Sequence, residues 1–180
     1  MFTFTDALII AAEAHRGTKD AGGVDYIKHP LYLAYKLKQK GFSNEIQMAA
    51  LLHDVPEDTE VTLKDLEDKG CPESVLEALA LLTHVRDQEF VDTQKKYYIE
   101  QKGMSKREAN AKAKDDEYFK YVHKLSRNDI ARAVKKEDLR HNGDIRRASD
   151  DVYENKYTWN RWAKYAKALK ILTGGTVGYA

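Results

Sequence analysis

Residues that could bind a metal ion are concentrated around His53 and Asp54. Imidazole nitrogens and carboxylate oxygens are common ligands of divalent metals. The pair directly follows the apolar run at residues 48–52, which predicts that it lies at the end of a buried helix. Glu57 and Asp58 add two carboxylates, and acids beside apolar residues repel one another unless a cation or a shared proton lies among them. The stretch therefore predicts half of a metal site, although acids that simply solvate a helix end would give the same pattern.

Two residues elsewhere in the chain could complete this site. His29 precedes Pro30, which favours the start of a helix, and Asp138 lies at the end of another predicted helix. Together with His53 and Asp54 they provide two imidazoles and two carboxylates. In an octahedral site this set leaves room for water or a phosphate oxygen, which suits Mn²⁺ or Mg²⁺ better than a closed structural zinc site. The spacing alone would be weak support for such a site.

The elements that must position these residues are predicted to be helices. Ala, Leu, Lys and Glu are abundant, Pro is rare, and there are no alternating β-branched runs, so we expect an all-α fold. Pro56 should end the helix that carries His53 and Asp54 and turn the carboxylates at 57 and 58 back towards the same pocket. The last helix should end at Gly174-Gly175. Helices are predicted to begin near Thr5-Asp6, Pro30, Ser43, Thr62, Pro72, Asn128 and Thr158.

The segment from about residue 86 to 120 is highly charged and has few apolar residues. Ser105 and Glu108 fit a capping box, which predicts helices, but these helices would bury little. We interpret the segment as a solvated, charged helical insertion in a single domain that spans residues 1–180. A role as a lid or as an oligomer contact stays open.

The composition limits the classes of protein to consider. The chain has 30 basic and 29 acidic residues, so its formal net charge of +1 gives no electrostatic case for a nucleic acid or a membrane as partner. The single cysteine cannot form an internal disulfide, and there is neither a membrane-spanning apolar segment nor a signal-peptide pattern. We expect a cytoplasmic protein with one domain and a sizeable core.

Five segments resemble, in order and context, the HD-superfamily phosphohydrolases. More narrowly, the chain resembles the hydrolase domain of the RelA/SpoT alarmone enzymes and the stand-alone small alarmone hydrolases. The pattern His-Asp-x-x-Glu-Asp-Thr separates this group from most other HD proteins. The resemblance covers most of residues 5–172 apart from the charged insertion, and it implies a single HD-domain helical bundle. The segments are residues 14–17, 26–30, 53–59, 82–84 and 134–142.

The resemblance also implies a reaction and roles for individual residues. In this family the 3′-diphosphate of guanosine tetra- or pentaphosphate, the alarmones of the stringent response, is removed as pyrophosphate, leaving GDP or GTP. Glu57 and Asp58 would position and activate the attacking water, and Asn142 would lie against the substrate near the metal. Lys135 could contact a substrate phosphate, although a solvated lysine is the simpler interpretation. The metal, Mn²⁺ or alternatively Mg²⁺ or another divalent transition metal, would be bound by His29, His53, Asp54 and Asp138.

One loop departs from the family pattern. The longer enzymes carry a basic Arg-Lys pair before the Tyr-Ile-x-His-Pro element, where this chain has Asp20-Ala21 and only Lys19 nearby. That pair helps to hold the nucleotide, so the base preference stays open. The alternatives are a different nucleotide, such as an adenosine analogue of the alarmone or a phosphorylated dinucleotide cofactor, and a non-catalytic nucleotide or metal sensor. The intact Glu57-Asp58 pair disfavours the sensor.

The remaining histidines are expected to support the fold rather than to bind the metal. His15 and His84 should pack or hold the ligands in place, because metal-bound histidines usually need such partners. His141 is interpreted as a structural residue and His123 as a surface residue.

Overall fold

The computed structural model describes residues 1–144 and 156–174, with the backbone alone described for residues 156–158. Regular structure in these residues is helical, and the one β feature among them is an isolated bridge between Lys19 and Asp25. The prediction of an all-α fold is confirmed. The helices are α1 (Phe4–Ala14), α2 (Lys28–Gln39), α3 (Asn44–Leu52), α4 (Val55–Asp58), α5 (Leu63–Asp68), α6 (Glu73–Leu82), α7 (Gln88–Lys102), α8 (Lys106–Leu125), α9 (Asp129–Asn142) and α10 (Lys156–Leu172).

Helix α3 is the centre of the fold. It packs against α1, α2, α6 and α9, and its residues 47–52 are all buried. A helix that is surrounded by other helices must be apolar on every side, and the run at residues 48–52 meets this requirement. Ser43 caps its N-terminus, as predicted, by accepting a hydrogen bond from the N–H of Ile46. Because His53 directly follows Leu52, this candidate ligand is fixed to the most enclosed helix of the bundle.

The chain leaves α3 at His53 and starts the one-turn helix α4 after Asp54. Pro56 occupies the second position of α4, where its missing N–H needs no partner in the helix. Pro56 therefore blocks the continuation of α3, as predicted, but it also starts a new helical turn that the sequence did not indicate. The hydroxyl of Thr59 donates to the carbonyl of Val55 at 2.7 Å and closes this turn.

Three helices begin earlier than predicted, and one of them is α10, which starts at Lys156 rather than near Thr158. The cap of α1 is Thr3, and Asp6 is its reciprocal partner in a capping box rather than the cap itself. Helix α2 begins at Lys28, which places Pro30 inside the first turn. The first turn tolerates proline because its N–H groups have no partner within the helix.

The charged segment forms a helical hairpin of α7 and α8, joined at Gly103, whose φ of +63° suits glycine. The predicted capping box of Ser105 and Glu108 is present at the start of α8. In α7 only Val91 is buried, in agreement with a solvated helix.

Helix α8 connects the charged hairpin to the main core. It packs against α6 and α10 as well as α7, and it runs without a break into Val122 and Leu125 of the main core. Its buried positions also include Ala109, Ala113 and the acid Glu117. Within the charged segment the buried side chains of α8 are therefore small or polar, in agreement with the prediction that its helices bury little, and Val122 and Leu125 lie beyond that segment.

The core is continuous across the bundle, and all of the helices described above except α7 contribute buried residues to it. Burying a leucine side chain completely contributes about 1.5–3 kcal/mol. Cys71, between α5 and α6, is also buried and has a free thiol. The fully buried leucines are Leu33, Leu37, Leu51, Leu52, Leu66, Leu79, Leu125 and Leu139.

Helix α10 packs against α8 and α9 and buries Ala168 and Leu172. Gly174 follows its end with a φ of +82°, as the sequence predicted, whereas Gly175 lies outside the described residues. None of the helices in the described ranges has the length and apolar character needed to cross a membrane. The single-domain span of residues 1–180 stays a prediction.

Candidate metal centre

The four predicted metal ligands lie together where the start of α2, the end of α3 and the second half of α9 meet. His29 Nε2 lies 3.4 Å from Asp138 Oδ1 and 3.7 Å from Asp54 Oδ2. His53 Nε2 lies 3.0 Å from Asp54 Oδ2 and 4.0 Å from Asp138 Oδ1. A cation with bonds of about 2.1 Å places neighbouring ligand atoms about 3 Å apart and opposite ones about 4 Å apart. The ligand atoms of His29, His53 and Asp138 all lie within 4.8 Å of one another, and Asp54 Oδ2 borders this group, so these side chains could share one cation.

His53 directs an unsatisfied nitrogen into this cluster. Its Nδ1 lies 2.9 Å from the carbonyl oxygen of Ala50, and a proton on Nδ1 that is donated to this oxygen leaves the lone pair on Nε2. The buried Nε2 has no hydrogen-bond partner, since its approach to Asp54 lacks the alignment of a hydrogen bond. A buried nitrogen without a partner is costly, and a bound cation would satisfy it. The side chains present thus fit a divalent metal.

The electrostatics of the cluster also favour a bound positive charge. Burial opposes protonation of His53, but the carboxylates of Asp54 and Asp138 outweigh it and raise the pKa of His53 to about 9. Burial likewise opposes ionisation of Asp138, yet Lys135 and the imidazoles hold the pKa of this carboxyl well below its usual range. A metal ion would supply the positive charge that a proton on His53 otherwise provides.

His141 orients His29 from the other side of its ring. The two Nδ1 atoms lie 2.6 Å apart and the rings stack with their centroids 4.9 Å apart. A proton on His29 Nδ1, donated to His141, leaves His29 Nε2 free to bind a cation, which is how metal-bound histidines are usually supported. His141 also stacks on Tyr32 at 4.2 Å. The sequence indicated a structural role for His141 but not this partner.

Tyr26 holds Asp54 in place, a role that the sequence did not indicate. Its hydroxyl donates a hydrogen bond to Asp54 Oδ2, and its ring packs against His15 with a centroid distance of 4.8 Å. Burial and the charge of Asp54 raise the pKa of the Tyr26 phenol, which therefore remains a donor. The one sequence feature that could have indicated this role is that Tyr26 lies in the same motif as His29, at residues 26–30.

Replacing Tyr26 with phenylalanine is expected to weaken the binding of a divalent cation about tenfold, because Asp54 loses the donor that orients it. Calorimetric titration of metal-stripped protein with Mn²⁺ measures this change. Tyr35→Phe is a matched control, since it removes the phenol hydroxyl of a residue in α2 that is 57% exposed. Equal affinities of Tyr26→Phe and the parent protein would show that the hydrogen bond does not support a metal ligand.

The two predicted substrate contacts both lie against Asp138. Lys135 Nζ is 2.8 Å from Asp138 Oδ2, and Asn142 donates to Oδ1 at 2.5 Å. The side chain of Lys135 is only 17% exposed, so the alternative of a solvated lysine is wrong. Burial opposes its charged form, but Asp138 outweighs burial and holds the pKa of Lys135 well above its usual range. Contact with a substrate stays a prediction for both residues.

Glu57 and Asp58 lie on α4, one turn beyond Asp54, and both are exposed. Glu57 Oε2 accepts a hydrogen bond from the backbone N–H of His84 at 3.0 Å. Burial, followed by the charges of Asp54 and Glu57, raises the pKa of Asp58. Both acids therefore lie at the edge of the cluster, where water can reach them, and their catalytic role stays a prediction.

The loop that departs from the family pattern is held by its own side chains. Asp20 Oδ1 accepts hydrogen bonds from the N–H groups of Gly22 and Val24, each at 2.9 Å. Lys19 forms an ion pair with Asp25. Lys19, the basic residue beside Asp20, is thus already paired with a neighbouring acid.

An all-α bundle with adjacent histidine and aspartate at the end of its central helix is typical of the HD class. The chain belongs to the HD domain family, whose model matches residues 7–155. The bifunctional (p)ppGpp synthase/hydrolase SpoT of Escherichia coli K12 is 44% identical over 61 residues, which cover 34% of this chain and 9% of SpoT. The guanosine-3′,5′-bis(diphosphate) 3′-pyrophosphohydrolase MESH1 of Danio rerio is 44% identical over 61 residues, covering 32% of this chain and 34% of MESH1. The match thus spans a minor part of each relative.

A solved structure of a metazoan ortholog of SpoT, described as hydrolysing ppGpp, is similar along nearly the whole chain. It superposes with a TM-score of 0.66 over 97% of this chain and 87% of that one, at 22% sequence identity. At this identity the likeness shows the fold alone. Together with the family match it confirms the predicted HD family and all-α architecture.

Proposed function

We propose that the protein is a metal-dependent phosphohydrolase that removes the 3′-diphosphate of guanosine tetraphosphate (ppGpp), releasing GDP and pyrophosphate. The observation that carries the proposal is the convergence of His29, His53, Asp54 and Asp138, with the buried Nε2 of His53 close to Asp54 but without an aligned hydrogen bond. The substrate is suggested by the relatives, since SpoT and MESH1 are both named for hydrolysis of this nucleotide.

Mn²⁺ is the metal that we propose for the site, with Mg²⁺ or another divalent transition metal as alternatives. Two imidazoles and two carboxylates form a mixed nitrogen and oxygen set, which suits Mn²⁺. When bound, the cation supplies positive charge that makes the substrate phosphorus more electrophilic. The residues that hold it are His29, His53, Asp54 and Asp138.

Glu57 and Asp58 act on the attacking water. Oε1 of Glu57 takes a proton from this water, because Oε2 already accepts the N–H of His84. The water oxygen forms a bond to the phosphorus that is attached to the ribose 3′-oxygen. The bond between this phosphorus and the 3′-oxygen breaks, and the 3′-oxygen takes a proton from solvent. Asp58 orients the water, while Asn142 and Lys135 contact the phosphate beside Asp138.

The test is the release of pyrophosphate from ppGpp by metal-stripped protein, with and without added Mn²⁺. We expect pyrophosphate and GDP in equal amounts only when the metal is present. Chromatography of the nucleotides identifies the co-product, and elemental analysis verifies that the protein holds Mn²⁺. Absence of turnover in protein that holds Mn²⁺ would overturn the proposal for this substrate.

A different phosphorylated nucleotide is the second candidate substrate, and the loop around Asp20 favours it. The longer enzymes of the family that this chain resembles carry two basic residues at the positions of Asp20 and Ala21. Here those basic residues are absent, and the adjacent Lys19 is paired with Asp25. The adenosine analogue of ppGpp and a phosphorylated dinucleotide cofactor, tested beside ppGpp, separate these possibilities by their kcat/KM values. Binding of all three without turnover would instead support a nucleotide sensor.

A further inference from the structure

Glu117 is a buried acid that the proposed reaction does not use. It lies on α8 in the charged hairpin, and only 4% of its surface is exposed. Its two carboxylate oxygens lie 3.0 and 3.2 Å from Nε2 of His84, and one of them accepts the backbone N–H of Asp87 at 3.3 Å. Burying a carboxylate is costly unless it is bound in this way. The contacts with His84 and Asp87 offset the cost of burying Glu117.

Two more residues on the same face of α8 hold the segment between α6 and α7. Lys120 forms an ion pair with Asp87 at 3.0 Å. Tyr121 donates its hydroxyl to the carbonyl of Leu82 at 2.6 Å, and its ring stacks on His84 at 4.3 Å. The segment is thus fixed at both ends, and the side chain of His84 in its middle is fixed as well.

This segment in turn holds Glu57. The backbone N–H of His84 donates to Glu57 Oε2 at 3.0 Å, so the position of His84 determines the direction of that donor. We propose that Glu117 is a positioning residue, which acts through His84 to fix the carboxylate of Glu57 with Oε1 directed at water. The inference rests on the proposed function for its effect on rate, and it assigns the charged hairpin a part in the active site.

The first test compares variants in Mn²⁺-loaded protein with ppGpp as substrate. Glu117→Ala is expected to lower kcat about tenfold with little change in KM or metal content, because a displaced Glu57 affects the reaction and not the binding. Glu117→Gln keeps an oxygen that can accept from His84 and should restore most of the rate. Loss of metal or a raised KM in place of the lower kcat would overturn the positioning role.

The matched control is Asp116→Ala. Asp116 is the adjacent acid on α8, and it binds Tyr98 and Lys112 within the hairpin rather than the segment at His84. Its replacement should destabilise the hairpin to a similar degree without lowering kcat. A similar loss of kcat in both variants would show that the hairpin matters only for stability.

A double-mutant cycle separates action through Glu57 from an independent effect. In a Glu57→Ala background the further change Glu117→Ala should have no effect on the remaining rate, because the residue that it positions is absent. Two losses that multiply would overturn the inference.

The contact can also be tested without substrate. Hydrogen exchange of the His84 amide, measured by NMR, should become about tenfold faster in both Glu117→Ala and Glu57→Ala, because either change frees this N–H from its acceptor. Unchanged exchange in Glu117→Ala would overturn the positioning role whatever the substrate is. Faster exchange in a protein that does not hydrolyse ppGpp would support the contact and overturn only the proposed function.

Discussion

Replacing Asp54 with alanine is expected to abolish metal binding and turnover together. Asp54 Oδ2 lies 3.0 Å from His53 Nε2 and 3.7 Å from His29 Nε2, so its carboxylate approaches both imidazoles. Loss of a residue that merely supports a ligand weakens metal binding about 10–100-fold, and loss of a ligand should exceed this. Elemental analysis after dialysis against Mn²⁺ and the release of pyrophosphate from ppGpp measure the two effects on one sample.

Two further variants test whether the loss of metal is specific to the charge of Asp54. Asp54→Asn keeps the shape of the side chain but removes its charge, and it should lose the metal as well. Asp129→Ala removes an acid whose side chain is 82% exposed at the start of α9, and it should leave both quantities unchanged. If Asp54→Ala kept its metal and its rate, the assignment of the metal centre would be wrong.

The substitution Glu57→Gln should lower the rate of hydrolysis without changing the metal content. The glutamine carbonyl can still accept the N–H of His84, so the side chain keeps its place, but it cannot take a proton from water. We expect normal Mn²⁺ content and a kcat lowered by about 10²–10⁴-fold, the usual contribution of a general base. Steady-state kinetics beside elemental analysis measure both.

The control for Glu57→Gln is Glu60→Gln, which makes the same chemical change at an exposed acid just beyond α4. It should have the kinetics of the parent protein. A full rate in Glu57→Gln would show that another group activates the water, and Asp58 would then be the next residue to replace.

The sequence alone predicted those features of the fold that depend on residues close together in the chain. Ser43, Ser105 and Asn128 cap the helices that they were predicted to cap, since a cap depends on residues within one turn. His53 and Asp54 could also be recognised from the sequence as candidate metal ligands, because they directly follow an apolar run. That these residues lie beside His29 and Asp138 came from a family resemblance and not from spacing.

The features that were missed depend on partners distant in sequence. His29 and His141 are 112 positions apart, so no local pattern could indicate that their rings meet. Glu117 looks like one more charge on a charged helix, although His84, 33 positions away, provides the partner that permits its burial. Lys135 was misjudged for a related reason, since an ion pair with Asp138 removes the need for solvent.

The buried thiol of Cys71 can be used to measure local opening of the helical bundle. The thiol is 6% exposed, and burial raises its pKa to about 11, so the reactive thiolate is scarce while the fold is closed. Because the chain has a single cysteine, any alkylation of a thiol occurs at Cys71, between α5 and α6. The rate of alkylation therefore reports how often this part of the bundle opens, without a cysteine having to be introduced.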